Sequence, residues 1–221
     1  MSRNIVIDAK AIRKSYGTTE ALRGVNIAIE SGEMVAIMGP SGSGKTTLLL
    51  CLAGIEQPDS GIITFQDKNI PELSDSERTI LRRTDFGFVF QFGQLVPELS
   101  ALDNVAVPLL LNGVKKKIAY DQARLMLCKF GLQGKENNLP GELSGGQAQR
   151  VAIARAMIIK PKVLFADEPT GALDSFNSEQ IMDLFVSIAK NNKTAIIIVT
   201  HEPSIAAHAD REVIVRDGLI K

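Results

Sequence analysis

Gly39-Pro40-Ser41-Gly42-Ser43-Gly44-Lys45-Thr46 and, far along the chain, Leu143-Ser144-Gly145-Gly146-Gln147 carry residue types at spacings suited to chemistry on a phosphate. In the first, glycines at 39, 42 and 44 permit the backbone angles that turn successive N–H groups inward around an anion. A helix that begins with Thr47 would add its positive end. Lys45 can then reach the β- and γ-phosphates of a nucleotide, and the Thr46 hydroxyl can ligate Mg²⁺. The second segment starts a helix with a serine hydroxyl, two glycines that leave room for close approach, and N–H groups without intrahelical partners. Taken alone it reads more readily as an ordinary N-cap at Ser144.

Val163-Leu164-Phe165-Ala166 followed by Asp167-Glu168 places two carboxylates at the C-terminal end of an apolar strand, where open α/β sheets bind ligands. Asp167 suits Mg²⁺, usually through water, and Glu168 suits the orientation of an attacking water. An isolated Asp-Glu pair is most often a solvated turn; a phosphate loop upstream reverses that balance.

These groups need elements to hold them. Met34 to Met38 reads as a buried parallel strand leading into the glycines, and Thr47 to Leu52 as the start of a helix. The first third is otherwise strand-like. Ile5 to Ile7, the alternating Val25, Ile27 and Ile29, and Ile62 to Phe65 are punctuated by Gly24, Gly32 and Gly61, which predicts an antiparallel layer beside the main sheet. Ser74-Asp75-Ser76-Glu77 has capping-box form and opens a helix through Arg83; Gly87 to Phe90 reads as a strand ending at Gln91.

From 92 to 160 the pattern turns helical, with helices over Asp103–Leu111, Ile118–Phe130 and about Gly146–Ile159. Strands return at Val163–Ala166, Ala195–Val199 and Val213–Val215. Between the first two lies an amphipathic helix with Ile181, Leu184, Phe185 and Ile188 on one face, and Asp217-Gly218 marks a closing hairpin. Alternation of strands and helices implies a mainly parallel sheet. The expectation is one α/β domain, its core formed by 1–91 and 161–221 and its helical insert by 92–160.

The composition permits one sizeable core: 221 residues, 45% of them apolar. Lys plus Arg equals Asp plus Glu, 25 against 25, so no global field favours nucleic acid or anionic lipid. No apolar run approaches the ~18 residues of a membrane span, and the N-terminus lacks the apolar stretch of a secretory signal. Cys51 and Cys128 have no metal-ligand spacing and sit in apolar helical contexts, predicting two buried free thiols in a reducing compartment.

Together the motifs resemble the ATP-binding subunits of ABC transporters over essentially the full length. The resemblance is carried by the phosphate loop at 39–46, Phe90-Gln91 (Q-loop), Leu143–Gln147 (signature), Asp167-Glu168-Pro169-Thr170 (second Walker motif), Ala172-Leu173-Asp174 (D-loop) and Thr200-His201 (switch histidine). It implies a RecA-like P-loop NTPase core and the cofactors ATP and Mg²⁺. Tyr16 would stack on adenine, Gln91 would sense Mg²⁺ and water, His201 would contact the γ-phosphate and support Glu168, and Asp174 would communicate between sites. It further implies a head-to-tail dimer in which Ser144, Gly145, Gly146 and Gln147 of one copy meet the nucleotide held by Lys45 of the other.

Phe90 to Pro97, Asp103-Asn104-Val105 and Asp167 to Asp174 are similar to the exporter group that handles macrolides, lipoproteins and antimicrobial peptides, with a haem-exporting branch. Ala148 stands where that pattern usually has glutamine. The group works with a separate membrane subunit of few transmembrane helices, which implies a peripheral place on the cytoplasmic face of the cell membrane and no nucleic-acid partner. A soluble ABC-type ATPase of DNA repair or chromosome maintenance is the alternative, but such proteins carry long coiled-coil or zinc-bearing inserts. The apolar segment from Phe92 to Leu102 is expected either to pack in the core or to receive a helix of the membrane subunit.

Overall fold

In the computed structural model, which describes residues 4–90, 94–170 and 175–221, the chain opens with two long strands, β1 (Ile5–Tyr16) and β2 (Thr19–Glu30). They are joined through Gly17 and are longer than the short strands expected. After β3 (Met34–Met38) and α1 (Lys45–Leu52) come β4 (Ser60–Phe65), β5 (Lys68–Asn69), α2 (Asp75–Thr84) and β6 (Phe86–Val89). Helices α3 (Ala101–Leu111), α4 (Lys116–Lys129) and α5 (Gly145–Met157) follow without an intervening strand. The chain then returns through β7 (Val163–Asp167), α6 (Ser175–Asn192), β8 (Ala195–Val199), α7 (Pro203–Ala206), β9 (Arg211–Arg216) and β10 (Leu219–Ile220).

The strands form two sheets. One is antiparallel, in the order β2-β1-β4-β5; the other, in the order β10-β9-β3-β8-β7-β6, is parallel except for the terminal β10 hairpin strand. The three central strands read as unbroken apolar runs because both faces are covered. Met34, Ala36, Leu164, Ala166, Ile196 and Ile198 face one core with α3, α4, α5 and α6. The alternate residues Val35, Ile37, Val163, Phe165, Ile197 and Val199 face the other, with α1 and the antiparallel layer. The P-loop strand is thereby clamped between two hydrophobic layers, which leaves its C-terminal end as the rigid edge of a cleft.

Local signals set several boundaries. Ser74 accepts from Glu77 N–H and the Glu77 carboxylate accepts from Ser74 N–H at 2.8 Å, the reciprocal cap that starts α2. At the start of α3, buried Asn104 accepts from Val96 N–H at 2.9 Å and donates to the carbonyls of Val96, Leu99 and Ser100, fastening the preceding loop.

One expectation needs correction. Cys51 is buried, with its thiol pushed up to about 12 by desolvation, but Cys128 lies on an exposed face of α4. The apolar character around Cys128 belongs to Ala123 and Leu127, which occupy the opposite face. Of the two alternatives for the segment from Phe92 to Leu102, Leu95 takes the core one and packs against the helical core. Gln91 and Asp174 fall outside the described residues.

Candidate active site

The loop after β3 is shaped by two glycines with no room for a side chain. At Gly39 (φ 146°) a Cβ would meet the Val215 carbonyl at 2.0 Å, and at Gly44 (φ 102°) it would meet the Ala21 carbonyl at 2.3 Å. Any other residue at Gly44 would push β2 away from the start of α1. Lys45 Nζ donates to the Pro40 carbonyl at 2.7 Å, bending back over its own loop. The Ser43 hydroxyl is buried without a partner, an orphan polar atom in the middle of the cradle.

Opposite the loop stands the end of β7. Thr46 Oγ1 donates to Asp167 Oδ2 at 3.2 Å, joining residues 121 positions apart. Burial is the main cause that raises the Asp167 pKa, with the neighbouring Glu168 adding to it and Thr46 and Lys45 opposing. A hydroxyl beside a carboxylate is an oxygen donor pair of the kind Mg²⁺ prefers, so these residues fit that ion.

Glu168 adopts φ 47°, a left-handed backbone that a non-glycine residue holds only when its surroundings enforce it. Its N–H donates to the Val199 carbonyl at 2.9 Å, which pins it across the sheet. Its Oε1 lies 2.6 Å from His201 Nδ1 and its Oε2 accepts from Thr200 Oγ1 at 3.4 Å. The Glu168 side chain is 14% exposed and His201 70%, so the carboxylate sits in the cleft wall while the imidazole stands in solvent. The hydrogen bond that the imidazole donates to Glu168, followed by the charge of that carboxylate, holds the His201 pKa above 6.5.

A cleft of about 500 Å³ runs between these groups, lined by Ser41, Gly42, Gly44, Lys45, Thr46 and Thr47 on one side and Asp167 and Glu168 on the other. Its mouth includes Glu20, Arg23 and Gly218, from the start of β2 and the β9–β10 turn. Sequence patterns carried no signal for these, since they arrive through contacts between the two sheets. Thr200 was also missed, although its position beside His201 was the available hint.

Other expected residues lie apart from this lining. Tyr16 ends β1 and is 48% exposed, with Lys14 Nζ 5.4 Å from its ring centroid. Ser144 is the N-cap of α5: its hydroxyl accepts from Gln147 N–H at 3.3 Å, and Gln147 Oε1 accepts from Ser144 N–H at 3.0 Å. Gly145 and Gly146, the first two residues of the helix, have no intrahelical partner for their N–H groups. None of residues 143–147 lines the cleft of the same chain.

Residues 22–171 match the model of the family described as ABC transporter. The chain belongs to that family. The lipoprotein-releasing system ATP-binding protein LolD of Legionella pneumophila (strain Lens) is 43% identical over 97% of this chain and 96% of its own length. The corresponding protein of Bacteroides thetaiotaomicron is 41% identical over 98% and 99%. Among solved structures, a dimeric ATP-binding cassette in a post-hydrolysis state bound to ADP and Pi superposes with a TM-score of 0.92 at 37% identity, covering 97% of this chain and 96% of that one. The family member described here is thus an ABC-type ATPase with the P-loop NTPase fold, in the group that includes the lipoprotein exporters. Among its described residues no helix is long and apolar enough to cross a membrane.

Proposed function

We propose that this chain is the MgATP-hydrolysing subunit of a lipoprotein-releasing complex, working as a head-to-tail dimer against the cytoplasmic face of a membrane partner with few transmembrane helices. The observation that carries it is the division of the phosphate-directed groups: residues 39–47 and 167–168 share one cleft, while the anion-ready start of α5 lies outside it. A second copy brought head-to-tail supplies what the cleft lacks. Lipoprotein is favoured as cargo over macrolide, peptide or haem by the names of the full-length relatives.

In this reading the loop N–H groups and Lys45 hold the phosphates, with Lys45 exchanging its bond to Pro40 for the γ-phosphate. Thr46, Asp167 and Gln91 hold Mg²⁺, which when bound neutralises phosphate charge. Glu168 orients the attacking water, and His201 steadies both Glu168 and the γ-phosphate. Tyr16 stacks on the base, and Ser144 to Gln147 of the partner subunit close over the γ-phosphate. Asp174 links the two sites. Hydrolysis removes the anion that joins the subunits, so the chemical step loosens the interface.

Coupling to the membrane partner is supported by an apolar groove of about 470 Å³ between β6, α3 and the end of α5, lined by Phe88, Phe90, Pro108, Leu111 and Ile159 with Arg82 and Arg83. It suits an amphipathic helix from the membrane subunit, with residues 92–160 moving as the helical subdomain. Glu168→Gln tests the assignment: ATP should drive stable dimers in gel filtration while hydrolysis falls by at least ~10², as for loss of a general base. Reconstitution with the membrane partner should give ATP-dependent release of lipoprotein from vesicles; stimulation by DNA instead would favour the DNA-repair alternative.

A further inference from the structure

Gln149 lies in α5 and is 1% exposed, yet it is a polar residue surrounded by the helical core. Its Nε2 donates to the Pro169 carbonyl at 2.6 Å and to the Phe90 carbonyl at 3.3 Å. An amide nitrogen has two protons, so both are used. Pro169 directly follows Glu168, and Phe90 directly precedes Gln91. The strands that lead to these residues, β6 and β7, are parallel neighbours with Val89 opposite Ala166. One side chain therefore ties together the exits of the two strands that carry the proposed water-orienting and sensing residues. The same helix also holds the chain at Gln94, whose carbonyl accepts from Arg155 Nη1 at 3.0 Å.

The start of α5 is the segment Ser144 to Gln147. At 1.5 Å per residue, Gln149 sits only about 7.5 Å along the helix axis from Ser144. Displacing α5 without Pro169 and Phe90 following would leave the buried Pro169 carbonyl and the part-buried Phe90 carbonyl without this donor, which the fold penalises. The helix start and the strand exits are consequently bound to move together.

We propose that Gln149 is a positioning residue that makes the seating of Ser144–Gln147 on the partner's nucleotide and the setting of Glu168 in its own cleft a single event. This rests on the head-to-tail reading above. It gives the dimer a route between its two sites that runs through α5 and the carbonyl of Pro169, inside one subunit. A purely structural role for Gln149 would satisfy two carbonyls and nothing more, so the two roles differ in what they do to turnover.

Gln149→Met keeps the length and much of the volume of the side chain and removes both donors. ATP affinity of the monomer and KM should stay within about twofold, while kcat should fall at least ~10-fold, because small displacements of catalytic groups cost far more rate than binding. Gln149→Asn, which retains the amide but withdraws it by one methylene, should also lower kcat with KM unchanged. A lowered unfolding temperature with normal kcat well below it would overturn the proposal. If the Met variant does not fold, the Asn variant decides, and normal kcat there overturns it. Glu168→Gln with Gln149 intact provides the separate control. Failure of that protein to dimerise on ATP rejects the head-to-tail reading itself, whereas ATP-driven dimers together with normal turnover by both Gln149 variants reject only the role given to Gln149.

Discussion

Nδ1 of His201 and Oε1 of Glu168 are 2.6 Å apart, joining the second residue after β8 to the residue after β7. The contact favours protonated imidazole, so the folded-state pKa of His201 exceeds its ordinary 6.5. Its contribution to stability is full below the ordinary value and is lost as pH rises through the raised one. Glu168→Gln removes the charge and should move the His201 titration midpoint down, as read from its ring-proton NMR shifts. An unchanged midpoint would mean that the pair does not form in solution.

Gly44 faces the Ala21 carbonyl with space for no Cβ and holds φ 102°. Gly44→Ala combines left-handed strain with a clash against backbone, so it should destabilise the fold by about 2 kcal/mol or more. A urea unfolding series measures this directly. Because Ala21 belongs to the antiparallel layer, the loss should appear even without nucleotide.

Asn104 makes four hydrogen bonds at 1% exposure. Asn104→Ala leaves the Val96 N–H and the Leu99 carbonyl without partners and should cost about 2–4 kcal/mol. Hydrogen exchange should show the greatest loss of protection over 94–100, with β3 and β8 nearly unaffected. Uniform loss across the chain would argue against a local clamp.

The apolar groove and Leu95 separate two effects that the sequence could not. Leu111 is 62% exposed and lines the groove, so Leu111→Asp should leave folding and basal ATP hydrolysis intact and abolish stimulation by the membrane partner. Leu95 packs on the helical core, so Leu95→Asp should lower the unfolding temperature instead. Normal stimulation of the Leu111 variant would move the docking site elsewhere.

Much of the architecture was legible because its signals are local. Met34–Met38, Val163–Asp167 and Ala195–Val199 declare strands buried on both faces, Ser74 with Glu77 declares a helix start, and the spacing of Gly39, Gly44, Lys45 and Thr46 declares a phosphate loop. Hydropathy averages over a helix and does not say which face or which neighbour a residue meets, which is why Leu95 was left between core and groove and Cys128 was wrongly expected to be buried. The strand order that sets β3 between β9 and β8 is a pairing among distant segments, and no local pattern encodes it. Only that order brings Thr46 to Asp167 and His201 to Glu168 and forces Glu168 into φ 47°, while packing between the two sheets sets the Ala21 carbonyl against Gly44. The sequence by itself determined which residues were chemically equipped; the tertiary structure decided which of them meet, because hydrogen bonds between strand ends depend on packing across the sheet and not on neighbours along the chain.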